Sequence, residues 1–299
     1  MRTTFTRVAV GAAIVLGVAV SAPGPAQAIA HGEDAAAGQY GFSVRLSMTG
    51  LPAADHGSRD SSCSGALIAP RWVITAGHCF RDASGKRVGR TVAGRTTATI
   101  GRTALTDHTG HEIDVVAVHQ SKTADVSLVE LDEAVTDVEP LRIATTPAAP
   151  DETVRLTGWG LTSYDEGDTV DRLQTGEFVV TELGEATVSV AGRAPRADTS
   201  ACPHDSGGPY FRTRADGVPE LVAVVSRGPA CPHTGDDVAA RADNLTGWVS
   251  DTMAGRVLGL TRNWWIAVCA ALAGLLAIAV VIRTSRRGSR RGPGRRRAG

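Results

Sequence analysis

Between residues 41 and 140 apolar positions come in short bursts, each cut off by Gly, Asp or Ser. They fall at 42–46, 64–68, 72–75, 96–100, 113–119 and 126–131, and a second set follows at 153–157, 177–181, 186–190 and 221–226. Runs this short, rich in β-branched residues and separated by turn formers, predict strands of an antiparallel barrel or sandwich. Residues 138–153, rich in Pro and Ala, mark the crossing between two halves, about 29–140 and 150–245. Residues 51–62 read as a polar surface loop, and 243–253 predict a short closing helix with Trp248 on its buried face. No internal repeat stands out.

The two ends follow a different pattern. Arg2 and Arg7 precede an apolar stretch at 8–20, and Ala26-Gln27-Ala28 follows Pro23 and Pro25. That is the layout of a secretory signal over 1–28, and the short run with its prolines argues against an uncleaved anchor. Residues 264–282 form an uncharged run of 19 residues. As a helix it reaches about 28 Å, close to the hydrocarbon thickness of a bilayer. Trp264 and Trp265 suit the outer interface, and the eight arginines after Ile282 suit the cytoplasmic side. A buried core helix would not be followed by such a tail. Anionic lipid and topology account for these arginines without nucleic acid. The expected order is signal 1–28, body 29–250, stalk 251–263, single transmembrane helix 264–282 and Arg-rich tail 283–299. The body is expected outside the cell and the tail in the cytoplasm. No Leu-Pro-x-Thr-Gly signal for covalent wall attachment precedes the apolar run.

Charge sharpens this division. The 299-residue chain has a formal net charge of zero, but residues 29–262 hold 21 basic against 31 acidic residues, a net of −10. An acidic exported body argues against a nucleic-acid partner. Of the five cysteines, Cys63, Cys79, Cys202 and Cys231 lie in the body, and Cys269 reads as a small apolar residue in the end run. Four cysteines allow three pairings, which sequence alone leaves open. Long spacings without a Cys-x-x-Cys pair argue against zinc, and neither metal nor cofactor is expected.

The chemistry gathers around Cys202-Pro203-His204-Asp205-Ser206-Gly207-Gly208-Pro209. Two glycines after Ser206 make a tight, open turn whose amides can face a bound carbonyl. A serine needs a base, and the base an orienting group. Thr75-Ala76-Gly77-His78-Cys79 offers an imidazole, and Asp125 opens the apolar segment 125–131. Gly158-Trp159-Gly160 and Ser226-Arg227-Gly228 are further landmarks. Together, in the order His, Asp, Ser, these motifs resemble the trypsin/chymotrypsin family of serine endopeptidases from about residue 29 to Trp248. The Gly-x-Ser-x-Gly of α/β-hydrolases is absent, and their triad order differs.

The resemblance implies an all-β fold of two packed antiparallel six-stranded barrels with a short C-terminal helix. It implies a monomeric protease acting on peptide or protein substrates. His78 would be the general base, Asp125 its orienting carboxylate and Ser206 the nucleophile, with oxyanion donors from the backbone N–H groups of His204 and Ser206. It also pairs Cys63 with Cys79 and Cys202 with Cys231. Ile29-Ala30-His31-Gly32 resembles the mature start of active relatives, whose new α-amino group pairs with the carboxylate here at Asp205. Signal cleavage alone would then expose Ile29. His204 departs from the family's glycine and invites two readings, an altered rate or an inactive scaffold. Ser200 falls at the base of the primary pocket, Gly228 would leave its mouth open, and Ser226 to Gly228 would pair with the substrate backbone as an added strand. Ser200 alone favours an apolar substrate side chain, whereas a buried carboxylate at Asp236 or Asp237 on the pocket wall would favour a basic one; the two acids also fit a solvated loop, and these readings stay open. Arg227 replaces the family's usual aromatic residue.

Overall fold

The computed structural model describes residues 29–53, 57–163, 170–257 and 260–261. The signal segment 1–28, the apolar run 264–282 and the Arg-rich tail lie outside the described residues.

The first half closes into a barrel of β2 (Ser43–Pro52), β3 (Ser58–Ala69), β4 (Trp72–Ala76), β5 (Arg95–Ile100), β6 (His111–Gln120) and β7 (Val126–Leu131), in the order β2-β3-β4-β7-β6-β5. Period-two alternation directs its side chains. In β2, Val44, Leu46 and Met48 face a core with Leu67, Val73, Ile100 and Val129, while Arg45 and Ser47 between them are only half buried. All of β7 but Glu130 is buried, because its two faces serve different cores. Val129 and Leu131 fill the barrel, whereas Val126 and Leu128 meet the second half.

That second half contains β1 (Glu33–Asp34), β8 (Arg142–Ile143), β9 (Thr153–Gly158), β10 (Gln174–Leu183), β11 (Thr187–Ala194), β12 (Pro209–Thr213), β13 (Pro219–Arg227) and β14 (Asp237–Arg241). The path runs β10-β11-β14-β13-β12-β9, and β9 pairs again with β10, so six antiparallel strands return on themselves. β8 adds on in parallel to β13, and β1 extends the edge at β10. The expected two-barrel architecture is therefore present.

The barrels are fused by a shared apolar layer. Phe42, Ile74 and Leu128 from the first meet Phe211, Leu221 and Val224 from the second, with Leu245 and Val249 closing it. Phe42 and Phe211 pack edge to face, ring centroids 5.3 Å apart, and Tyr40 tilts onto Phe211 at 5.4 Å. Such geometry suits the positive edge and negative face of aromatic rings.

Two local expectations differ. The stretch read as a polar loop is mostly the tip of the β2–β3 ribbon, with Leu51 opposite Arg59 and Pro52 opposite Ser58. Backbone pairing sustains it while its side chains stay mostly exposed, so no hydrophobic period betrays it. The closing helix begins as a 3-10 turn at Asp243–Leu245 and continues as α1 (Thr246–Met253). Val249 is its buried residue; Trp248 is half buried against the shared layer. Among the described residues, no helix is long and apolar enough to cross a membrane.

Candidate active site

Strand pairing brings distant residues together. Ala76 at the end of β4 pairs with Val126 at the start of β7, so His78 and Asp125 become neighbours across 47 residues. The His78 backbone N–H donates to Asp125 Oδ1 at 2.9 Å, and ring Nδ1 lies 2.7 Å from Oδ2. A carboxylate at Nδ1 places the proton there and leaves Nε2 as an acceptor. Nε2 sits 2.8 Å from Ser206 Oγ, on the loop before β12. All three expected residues are thus in hydrogen-bond contact at the seam between the barrels.

Asp125 is held from further directions. Ser226 Oγ donates to Oδ2 at 2.7 Å, and Arg87 reaches Oδ1 at 3.4 Å while donating to Ala124 O at 2.8 Å. Burial alone would raise this carboxyl, but hydrogen bonds from the His78 ring, Ser226 and the His78 amide, with the His78 charge, bring it down to about 2. Asp125 therefore stays ionised at neutral pH.

The serine loop is built over a second, buried carboxylate. Asp205 is fully buried, with Gly160 N–H donating to Oδ1 and Cys202 N–H to Oδ2, each at 2.9 Å. Its pKa is raised well above the usual range, chiefly by burial and also by Asp237, against the pull of those two amides. Gly158-Trp159-Gly160 wraps this group so closely that a β-carbon at Gly158 or Gly160 would overlap the carboxylate. Ser64 ties the layers together: its hydroxyl donates to His204 O at 3.1 Å and accepts from Trp159 N–H at 3.0 Å, while its amide donates to Ser206 O at 2.9 Å.

His204 takes a left-handed conformation, φ 76°. Its ring Nδ1 lies 2.8 Å from Ser62 O, so that nitrogen must be the donor. Neither the His204 N–H nor the Ser206 N–H has a hydrogen-bond partner among the described residues. Both amides remain available to a substrate oxygen.

Ser200, Gly228 and Asp237 gather around His233, whereas Ser226 turns to Asp125. Ser200 is fully buried, and its Oγ accepts from His233 N–H at 3.2 Å. Asp237, also buried, receives Ala201 N–H at 3.0 Å and the Tyr210 hydroxyl at 3.3 Å on Oδ2. Its Oδ1 lies 3.3 Å from His233 Nε2 and beneath Gly228, where a β-carbon would overlap it. His233 Nδ1 is 3.0 Å from Gly235 O and so carries a proton, leaving a neutral ring with its Nε2 lone pair towards a carboxylate. Protonation relieves that conflict. Asp237 accordingly raises the His233 pKa, against the opposing effect of burial.

Both disulfides are those the resemblance implies. Cys63–Cys79, with Cα atoms 6.4 Å apart, braces the turn bearing His78, and Cys202–Cys231, at 5.4 Å, ties the serine loop to the pocket wall. Ile29 is fully buried, and the Ala30–Ser200 bridge sets it beside the 200–205 loop. Its nitrogen is a peptide amide in the 299-residue chain. Sequence reasoning missed Ser64, Arg87 and His233. Ser64 and Arg87 belong to no motif of their own, and His233 shows its role only once β14 places Asp237 against it. Among the described residues, no group of three or more His, Cys, Asp or Glu is arranged to hold a metal ion.

Two six-stranded antiparallel barrels with a short terminal helix, carrying a serine, an imidazole and a carboxylate in line at their seam, define a trypsin fold. The family model "Trypsin" matches residues 29–249, and the chain belongs to that family. It is similar to the human protein named transmembrane protease serine 5, with 28% identity over 216 residues. That match covers 64% of this chain and 46% of the human protein, so less than half of the relative's length is spanned. Among solved structures it resembles neuropsin, described as a serine protease expressed in the limbic system of mouse brain, with TM-score 0.59 and 20% identity. That comparison covers 75% of this chain and 100% of the other, and speaks to the fold.

Proposed function

We propose that the chain is an exported, membrane-tethered serine endopeptidase that cuts peptide bonds through an acyl-enzyme. The observation that carries this is the placement of His78 between Asp125, at 2.7 Å, and Ser206, at 2.8 Å. In the first step Ser206 Oγ bonds to the substrate carbonyl carbon as its proton passes to His78 Nε2. The negative charge forming on the carbonyl oxygen is met by the N–H groups of His204 and Ser206. Asp125, held ionised, stabilises the imidazolium. Nε2 then gives the proton to the departing amine as the C–N bond breaks. A water, deprotonated by the same nitrogen, attacks the ester carbonyl, and Nε2 returns that proton to Oγ as the C–O bond breaks, freeing Ser206 and the new carboxylic acid.

The buried carboxylate of Asp237 favours a basic side chain in the primary pocket, since one of its oxygens faces His233 and Gly228 rather than an ordinary donor. The C-terminal apolar run with its arginines supports a single-pass anchor, in keeping with the name of the human relative. The left-handed backbone at His204 supports a second reading, a protease-shaped binding protein with weak or no turnover. A phosphonate directed at active serines separates the two. The first reading expects stoichiometric labelling that disappears in Ser206→Ala, with turnover falling by roughly 10⁴ or more in Ser206→Ala and His78→Ala. Folded protein that takes up no label would leave the scaffold.

A further inference from the structure

The body is acidic, with 21 basic against 31 acidic residues over 29–262, yet both hollows beside His78 reverse that balance, the smaller with Arg59 and Arg81 and the larger more strongly. The larger measures about 650 Å³, adjoins His78, and is lined by Arg81, Arg87, Lys122 and Arg227. Asp125 is the sole carboxylate in its wall among the described residues, and it is already engaged by His78, Ser226 and Arg87. Glu185 belongs to an adjoining hollow that shares Thr123, Ala124 and Ala186. Arg81, Lys122 and Arg227 are exposed, and their side chains have no ion-pair or hydrogen-bond partner among the described residues.

These cations come from three places in the fold. Arg81 and Arg87 sit on the segment between β4 and β5, Lys122 between β6 and β7, and Arg227 at the end of β13 in the other barrel. Like charges gathered from both barrels repel one another and concentrate a positive field in a cleft. A negatively charged ligand reverses that repulsion. A substrate strand laid along Ser226–Gly228, on the side of His78 away from the hollow shared by Ser206, His204 and Cys63, would run past Arg227.

We infer that this hollow receives acidic side chains two to four residues before the scissile bond, so that the enzyme selects acidic peptides. This rests on the protease reading above. It assigns Lys122 and Arg227 as specificity-determining residues, with Arg81 supporting them. Arg87, bound to Asp125, contributes charge more than contact.

The test uses full-length Ser206→Ala protein, which binds without cutting. Two fluorescent peptides differ only at those positions, one carrying Asp and Glu, the other Asn and Gln, and binding is followed by anisotropy. The acidic peptide is expected to bind about tenfold tighter at low salt, from several exposed pairs acting together. The advantage should shrink as salt approaches about 0.5 M. Lys122→Glu with Arg227→Glu should reverse the preference towards a Lys-containing peptide, and Lys122→Gln alone should reduce it. Equal binding of the two peptides at low salt, or tighter binding of an oligonucleotide of equal charge, would overturn the inference. Selective binding by a protein whose Ser206 form hydrolyses no peptide would uphold the cationic subsite and sink the protease reading.

Discussion

A β-carbon in the left-handed region crowds the following carbonyl oxygen, at a cost of about 1–2 kcal/mol for any residue but glycine. His204 sits there at φ 76° and recovers part of that cost through the 2.8 Å bond from its ring to Ser62 O, which contributes about 1 kcal/mol. His204→Ala keeps the crowding and loses the bond, so its melting point should fall by about 2–4 °C. His204→Gly loses the bond but also the crowding and should melt near the parent. All three keep the backbone N–H, so turnover should stay within about tenfold, short of the 10²–10³ that follows loss of an oxyanion donor. A glycine variant that melts below the alanine variant would refute the backbone argument. The His233–Asp237 pair invites a pH experiment. Asp237 raises His233, so below that raised value the ring is charged and offsets the carboxylate, while above it Asp237 is left unbalanced. The ratio of kcat/KM for an Arg substrate to that for a Leu substrate should therefore climb as pH rises through the His233 titration. His233→Gln should flatten the climb, and a flat ratio in the parent would remove Asp237 from substrate selection.

At the level of elements, the sequence revealed strands written as continuous apolar runs and hid those that are short or held only by their partners. β4 and β7 read clearly because nearly every position is apolar and buried. β12 escaped because Pro209–Thr213 is short and begins at a proline beside the glycine turn of Ser206. The two-residue strands β1 and β8 exist only through partners found elsewhere in the chain, Gln174–Thr175 and Glu220–Leu221. The same division runs through the site. His78, Asp125 and Ser206 were legible because chemistry fixes their residue types and the turn residues around them. Arg81, Arg87 and Lys122 were not, since a lone surface cation carries no pattern until two barrels set it beside others. Asp237 was visible as an acid, but its burial depends on β14 pairing with β11 and β13.

For the whole molecule, the proposed cleavage after Ala28 would act on the serine loop through Asp205. Asp205 is sealed under Gly158 and Gly160 with two amide donors, and in the uncut chain its burial raises its pKa. A buried ammonium delivered by Ile29 would reverse that shift and lock the loop, and breaking such a pair costs about 3–5 kcal/mol. Ile29 is buried, and the Ala30–Ser200 bridge holds the next residue against the 200–205 segment that leads to Asp205. The mature protein should begin at Ile29 by N-terminal sequencing. A variant processed to carry one extra residue there, like Asp205→Asn, should lose roughly 10²-fold or more in kcat/KM, in line with that cost. The pH dependence has a definite sign. A paired amine titrates above its free value of about 8, so the lock is complete below that value and released as pH rises through the raised one. Activity should therefore fall on the alkaline side in the parent. In Asp205→Asn the remaining activity should show no such fall, and an unchanged alkaline limb there would place the control of activation elsewhere in the molecule.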